Sequence, residues 1–147
     1  MAKGTSFTGL RISPVTVPDA ATYSFKTDYT GKIHLIPDLT ADCTFTLPPV
    51  EAGLCYQLCY TGAAADAQDW IIVTAATDEL FKGGVVFHDE NIGGAGIEVL
   101  AVYADFSNDD TFTILTPQVG TDVYLISDGA SWIVNGTVIS DTVPTFA

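Results

Sequence analysis

Two histidines, His34 and His88, and three cysteines, Cys43, Cys55 and Cys59, are the side chains in this sequence best suited to nucleophilic or acid–base work. Serine hydrolysis needs an imidazole held beside a serine on a strained turn. His88-Asp89-Glu90 offers a base with acids next to it, but the chain has no GxSxG turn to present the nucleophile. The cysteines stand in apolar or alternating runs, where a thiol is ordinarily protonated, buried and inert. They are odd in number and lack CxxC spacing, which argues against a disulfide framework or a structural zinc site. Cys55 and Cys59, four apart in an extended run, would have Cα atoms about 13 Å apart, too far for a disulfide between them.

Carboxylates are the other chemical resource. Glycoside hydrolysis uses two acids about 5 to 10 Å apart across a sugar cleft. Here the acids fall in turn-like clusters such as Asp89-Glu90, Asn108-Asp109-Asp110 and Ser127-Asp128-Gly129. Asp105, Asp109 and Asp110 could offer hard oxygen ligands to calcium, yet the run lacks the further acid that an EF-hand loop carries at its twelfth position. Asn135-Gly136-Thr137 fits a glycosylation sequon and reads more simply as a turn. No glycine-rich phosphate loop precedes a helix. The sequence therefore predicts no catalytic constellation, no cofactor and no resident metal.

Charge narrows the partners. Eighteen acids against five cations give a net charge of -13 and a pI near 4.1, the opposite of what clustered phosphate contacts require, so nucleic acid is not expected as a partner. All five cations (Lys3, Arg11, Lys26, Lys32, Lys82) lie in the first 82 residues with nine acids, a sum of -4, and residues 83–147 hold nine acids and no cation. The 48% hydrophobic and 16% charged composition, with mean hydropathy +0.32, describes a chain that packs. At 147 residues it has the length of one domain. Residues 1–18 contain no apolar stretch of signal-peptide length and no segment is long enough to cross a bilayer as a helix, so the expectation is synthesis in the cytoplasm with no membrane partner.

The elements that must position these residues are strands. Period-two alternation runs through Tyr23/Phe25, Cys43/Phe45/Leu47, Leu54/Tyr56/Leu58/Tyr60, Ile97/Val99/Ala101/Tyr103, Phe112/Ile114 and Val123/Leu125. Less regular strand-like runs cover 32–36, 70–74, 85–88, 132–134 and 137–139. Gly, Pro, Asn and Asp punctuate them, including Gly83-Gly84, Gly93-Gly94, Asp128-Gly129 and Asn135-Gly136. About eleven antiparallel strands in a β-sandwich or jelly-roll-like barrel follow, with the last third a meander turned at Asp128-Gly129 and Asn135-Gly136. Helix is expected only as single turns, with 62–68 and 77–82 the candidates. Residues 1–20, with Gly4, Gly9, Pro14 and Pro18, read as an extended N-terminal arm and 21–147 as a single all-β domain. The tail 142–147 reads as unpatterned, disordered or tucked onto a neighbour. So much apolar composition at so little charge also predicts a homo-oligomer.

The stretch CTFTLPPVEAGLCYQLCYTG from Cys43, then DWIIVTA, a Gly-rich middle and TDVYLISDGASWIVNGTVIS, resembles a β-structured segment of virion proteins of tailed bacteriophages. Leu47-Pro48, Glu51-Ala52-Gly53, Ser127-Asp128-Gly129 and Trp132 carry the likeness, which spans roughly residues 43–140. It implies a non-enzymatic, usually homotrimeric capsid decoration (cement) protein bound to the major capsid protein on the outer surface of the head. A tail or head fibre or receptor-binding module is the alternative, and a virion-borne glycan hydrolase stands further off. On this reading Lys3, Phe7, Arg11, Ile12 and Val15 of the arm contact the shell or a neighbouring subunit, and Trp70 and Tyr103 serve a trimer interface.

Overall fold

The structure, a computed structural model, describes residues 13–63, 66–90 and 99–147. Twelve strands are present among them: β1 (Val15–Thr16), β2 (Thr22–Ser24), β3 (Lys32–Ile36), β4 (Cys43–Thr46), β5 (Cys55–Tyr60), β6 (Trp70–Val73), β7 (Phe81–Asp89), β8 (Val99–Ala104), β9 (Thr111–Ile114), β10 (Asp122–Ser127), β11 (Trp132–Ser140) and β12 (Thr145–Phe146). Among the described residues helix is confined to one 3-10 turn at Thr27–Tyr29. The strands form a seven-stranded sheet in the order β1-β3-β5-β10-β11-β7-β8 and a five-stranded sheet in the order β12-β9-β6-β4-β2. These two sheets pack as a sandwich, so the all-β expectation holds.

Pairing direction departs from it. Five of the ten strand pairs are parallel, namely β1 with β3, β3 with β5, β2 with β4, β4 with β6 and β7 with β11. The cause lies in the path of the chain. From β1 to β6 successive strands alternate between the sheets, so each return to a sheet comes after a crossing of the other. A parallel neighbour needs such a crossover, and here a strand of the opposite sheet provides it. The entirely antiparallel sandwich or jelly roll is thus replaced by two mixed sheets.

The inner faces follow the alternation closely. Phe45, Trp70, Ile72, Phe112 and Ile114 of the small sheet are fully buried against Tyr56, Leu58, Phe81, Leu125 and Trp132 of the large one. Rings meet across the gap, with Phe81 and Phe112 centroids 6.5 Å apart and Tyr60 and Trp70 6.1 Å apart. Two segments read as peripheral belong to this body. Val15–Thr16 pairs with β3 and Val17 enters the core. Pro14 and Pro18, which have no N–H to donate, bracket this short edge strand. In the tail, Phe146 stacks on Phe112 at 4.3 Å as β12 pairs with β9, so the tail is tucked onto its own chain.

Two dipeptides taken for turns lie inside strands. Gly83-Gly84 sits within β7 and Asn135-Gly136 within β11. The hairpin of this region is the single one at Asp128-Gly129, where the Asp128 carboxylate accepts the N–H groups of Ala130 (2.8 Å) and Ser131 (2.7 Å). Gly136 serves close approach instead. Its φ is 142° and a Cβ there would lie 2.2 Å from the Asp122 carbonyl oxygen of the neighbouring strand. The 62–68 helix candidate is interrupted by two residues outside the described set, and Gly93-Gly94 and Ile97 also lie outside it.

Gly136→Ala should therefore cost about 3 kcal/mol or more, combining backbone strain with displacement of β10. Gly31→Ala, at φ 75° with open space around it, should cost about 1 to 2 kcal/mol. Urea denaturation midpoints of the two variants check the order, and equal losses would contradict it.

Candidate functional site

A sandwich strand ordinarily shows its polar positions to water. The five-stranded sheet does so. Its outward row runs Thr22, Thr44, Ile71, Thr113 and Thr145 across all five strands. The seven-stranded sheet does not. One outward row carries Ile33, Gln57, Tyr124 and Asn135, and the next Leu35, Cys59, Asp122, Thr137, Val86 and Ala101. A third row sets Cys55, Ile126 and Ile133 side by side, ending at Lys82. Tyr124, Ile126 and Val86 are about 40% exposed (41%, 39% and 42%) and Tyr103 on β8 is 71% exposed. Among the described residues of the two sheets, the broader apolar surface thus faces outward on the seven-stranded one.

Charge on that surface is sparse. Among the described outward positions of the strands, the charged side chains are Asp122 and Lys82. Gln57 Nε2 donates to both Asp122 oxygens, at 2.8 and 2.9 Å. Lys82 reaches Asp128 at 3.5 Å and lies over the Phe106 ring at 4.5 Å. Burial and then the nearby Asp122 carboxylate push the Cys59 thiol up to about 11, which holds it protonated and unreactive at neutral pH. Beside Cys55, a depression of about 120 Å³ is lined by Gly31, Ile33, Gln57 and Tyr124. It is smaller than the roughly 300 Å³ at which drug-sized ligand pockets begin.

The acids considered for chemistry are engaged within their own loops. Asp109 accepts the Phe106 N–H at 2.9 Å and Asp105 that of Ser107 at 2.9 Å, while Asp110 accepts the Thr111 hydroxyl at 2.9 Å. Among the described residues no group of three or more His, Cys, Asp or Glu is placed to hold a metal ion. Tyr60 donates to Asp38, and the buried Asp66 accepts the N–H groups of Leu39 and Gln68. Burial raises the Asp66 carboxyl above its usual range.

Three of the contact candidates, Val15, Trp70 and Tyr103, lie in the described residues, and the fold keeps them apart. Lys3, Phe7, Arg11 and Ile12 lie outside the described residues. Val15 is half-buried in the edge strand β1, and Tyr103 is outward on the opposite edge strand β8. Trp70 has no exposed surface. Its position in alternation with Ile72 turns it into the core against Phe45 and Tyr60, so it has nothing to offer a neighbouring subunit. Missed in the sequence were Tyr124, Ile126, Ile133 and Val86. Their signal was present as unbroken apolar runs, Val123 to Ile126 and Trp132 to Val134, which imply both faces covered rather than one.

Behind this surface sits the one fully buried histidine. His34 lies edge-on to Tyr23, Phe25 and Tyr56, with centroids 5.9, 4.7 and 5.7 Å away. Burial pushes its pKa down to about 4, against weaker opposition from the nearby backbone of Lys32 and Gln57. Neither ring nitrogen makes a hydrogen bond of good geometry among the described residues. It is a neutral packing ring and not a general base. His88 stands half-buried on the outward face of β7. Comparison of the chain with protein-family models and with curated proteins gives no match.

The His34 environment has a measurable consequence. Between pH 6.5 and about 4 the unfolded chain binds a proton here that the folded chain refuses. Stability is full above that window and is lost as pH falls through it, while the raised Asp66 carboxyl works in the opposite direction. Comparison with His34→Phe isolates the histidine. From pH 7 to about pH 4.5 the parent should lose about 2 to 3 kcal/mol more than His34→Phe. Urea titrations at the two pH values test this, and parallel losses would refute it.

Proposed function

We propose that this chain is a structural, non-enzymatic virion protein that decorates the outside of a tailed-phage capsid as a homotrimer, bound to the major capsid protein. It would be made in the host cytoplasm, with no nucleic acid or membrane as partner. The observation that carries the reading is the one-sided apolar face of the seven-stranded sheet on a body whose net charge is -13. Such a surface suits burial in an assembly, and the placement of phage origin comes from the sequence resemblance. The segment before the edge strand β1 supports it further, because the sequence of residues 1–12 holds Lys3 and Arg11 and no acid. Those residues would contact the shell or a neighbouring subunit. The exposed Tyr103 and Phe106 (71% and 49%) favour the second reading, a fibre or receptor-binding module.

Two measurements on purified capsids test the proposal. Deleting residues 2–12, which leaves β1 intact, should cut capsid occupancy at least tenfold, whereas unchanged occupancy removes that segment from attachment. Because a body this acidic gains little from exposed ion pairs, occupancy of the full chain should hold or rise from low salt to 0.5 M, where the Debye length is about 4 Å. Loss of most bound protein at the higher salt would mean that ion pairs dominate. Binding to host cells but not to capsids would favour the fibre module.

A further inference from the structure

We infer that the outward face of the seven-stranded sheet, from Ile33 across Tyr124 and Ile126 to Val86, packs against a second copy of this chain. The inference rests on the assembly reading above and assigns the surface and its occupant. Three observations select a copy of the chain over the shell.

The first is charge. Two bodies of net charge -13 repel wherever acids meet, and among the described strand positions this face presents one carboxylate, Asp122, already held by Gln57 through both oxygens. Its lysine, Lys82, is paired with Asp128 at the rim. Self-association is therefore least opposed here, while the turns carry the acids.

The second is extent. The six strands β3, β5, β10, β11, β7 and β8, each of five residues or more, at about 4.8 Å spacing and about 3.3 Å per residue give roughly 500 Å² of flat face per copy. Covered by an equal area of another copy, it gives about 1,000 Å² in total, close to the smallest specific interfaces.

The third is contrast within one molecule. The five-stranded sheet presents a threonine row to water, and nothing in strand formation required the larger sheet to differ. A face this apolar on a protein awaiting a preformed shell would aggregate first. A copy of the same chain is present from synthesis and is available to cover it at once.

Light scattering on the free protein, without capsids, tests the inference. The parent at micromolar concentration should have a mass at least twice 15.5 kDa. Ile126→Glu should fall to 15.5 kDa with its far-UV circular dichroism unchanged, and Thr113→Glu on the other sheet should keep the parent mass. If Ile126→Glu loses its β signature, Ile126→Ser replaces it, with at least a tenfold weaker self-association expected. A parent of 15.5 kDa, a folded face variant with the parent mass, or equal dissociation by Thr113→Glu would each overturn it. A dimer would uphold this surface while refuting the trimer. Capsids left bare by an oligomer that dissociates as described would refute the decoration role alone.

Discussion

The two sheets share no strand, so their inner faces must hold each other by apolar contact, and every other feature depends on that layer. Aromatic rings dominate it. Trp70 and Trp132 are completely enclosed, with Phe45, Phe81 and Phe112 equally buried around them. Neither indole N–H finds an acceptor among the described residues, at a cost of about 1 to 3 kcal/mol each. Burial of some 200 Å² per indole at about 25 cal/mol/Å² contributes roughly 5 kcal/mol and outweighs it. His34 is explained in the same terms. An imidazole in a ring-lined space, with Phe25 centred 4.7 Å away, acts by shape and remains neutral.

With the interior committed to rings, polar function is pushed to the periphery. The acids brace turns, as Asp128 does at the β10–β11 hairpin and Asp109 in the loop before β9. That arrangement occupies the carboxylates, including the buried Asp109. What remains unassigned by packing among the described residues is the outward face of the larger sheet, with Tyr124, Ile126 and Val86 partly exposed on it.

Much of this was legible in the alternation of the sequence. Cys43, Phe45 and Leu47 point inward as their spacing demands, as do Tyr56, Leu58 and Tyr60. Direction of pairing was not legible, because a period of two is the same for parallel and antiparallel neighbours. The Asn135-Gly136 dipeptide misled for a related reason. Glycine is selected equally by a tight turn and by a backbone that must pass close to its neighbour, and only the register of Val123 opposite Gly136 separates them. On β8 the alternation marks the outward set, Val99, Ala101 and Tyr103, while Val102 and Ala104 pack toward the core. The apolar face itself was hidden because Val123/Leu125 satisfied the alternating pattern, although the apolar Tyr124 and Ile126 follow them in turn.

The order of strands in the larger sheet has a consequence for how the chain comes to be folded. The hairpin of β10 and β11 lies between β5 on one side and β7 on the other, so residues made late must enter the middle of a sheet whose flanks were made early. Until they arrive, β5 and β7 each expose an unpaired edge beside apolar side chains, the condition under which chains cross-pair. The small sheet waits as well, since β9 joins β6 only after the intervening strands have emerged. Non-local pairing of this kind makes folding slow. Closure therefore belongs to the C-terminal third of the chain, which acts as the keystone of a structure that its first hundred residues outline but cannot complete.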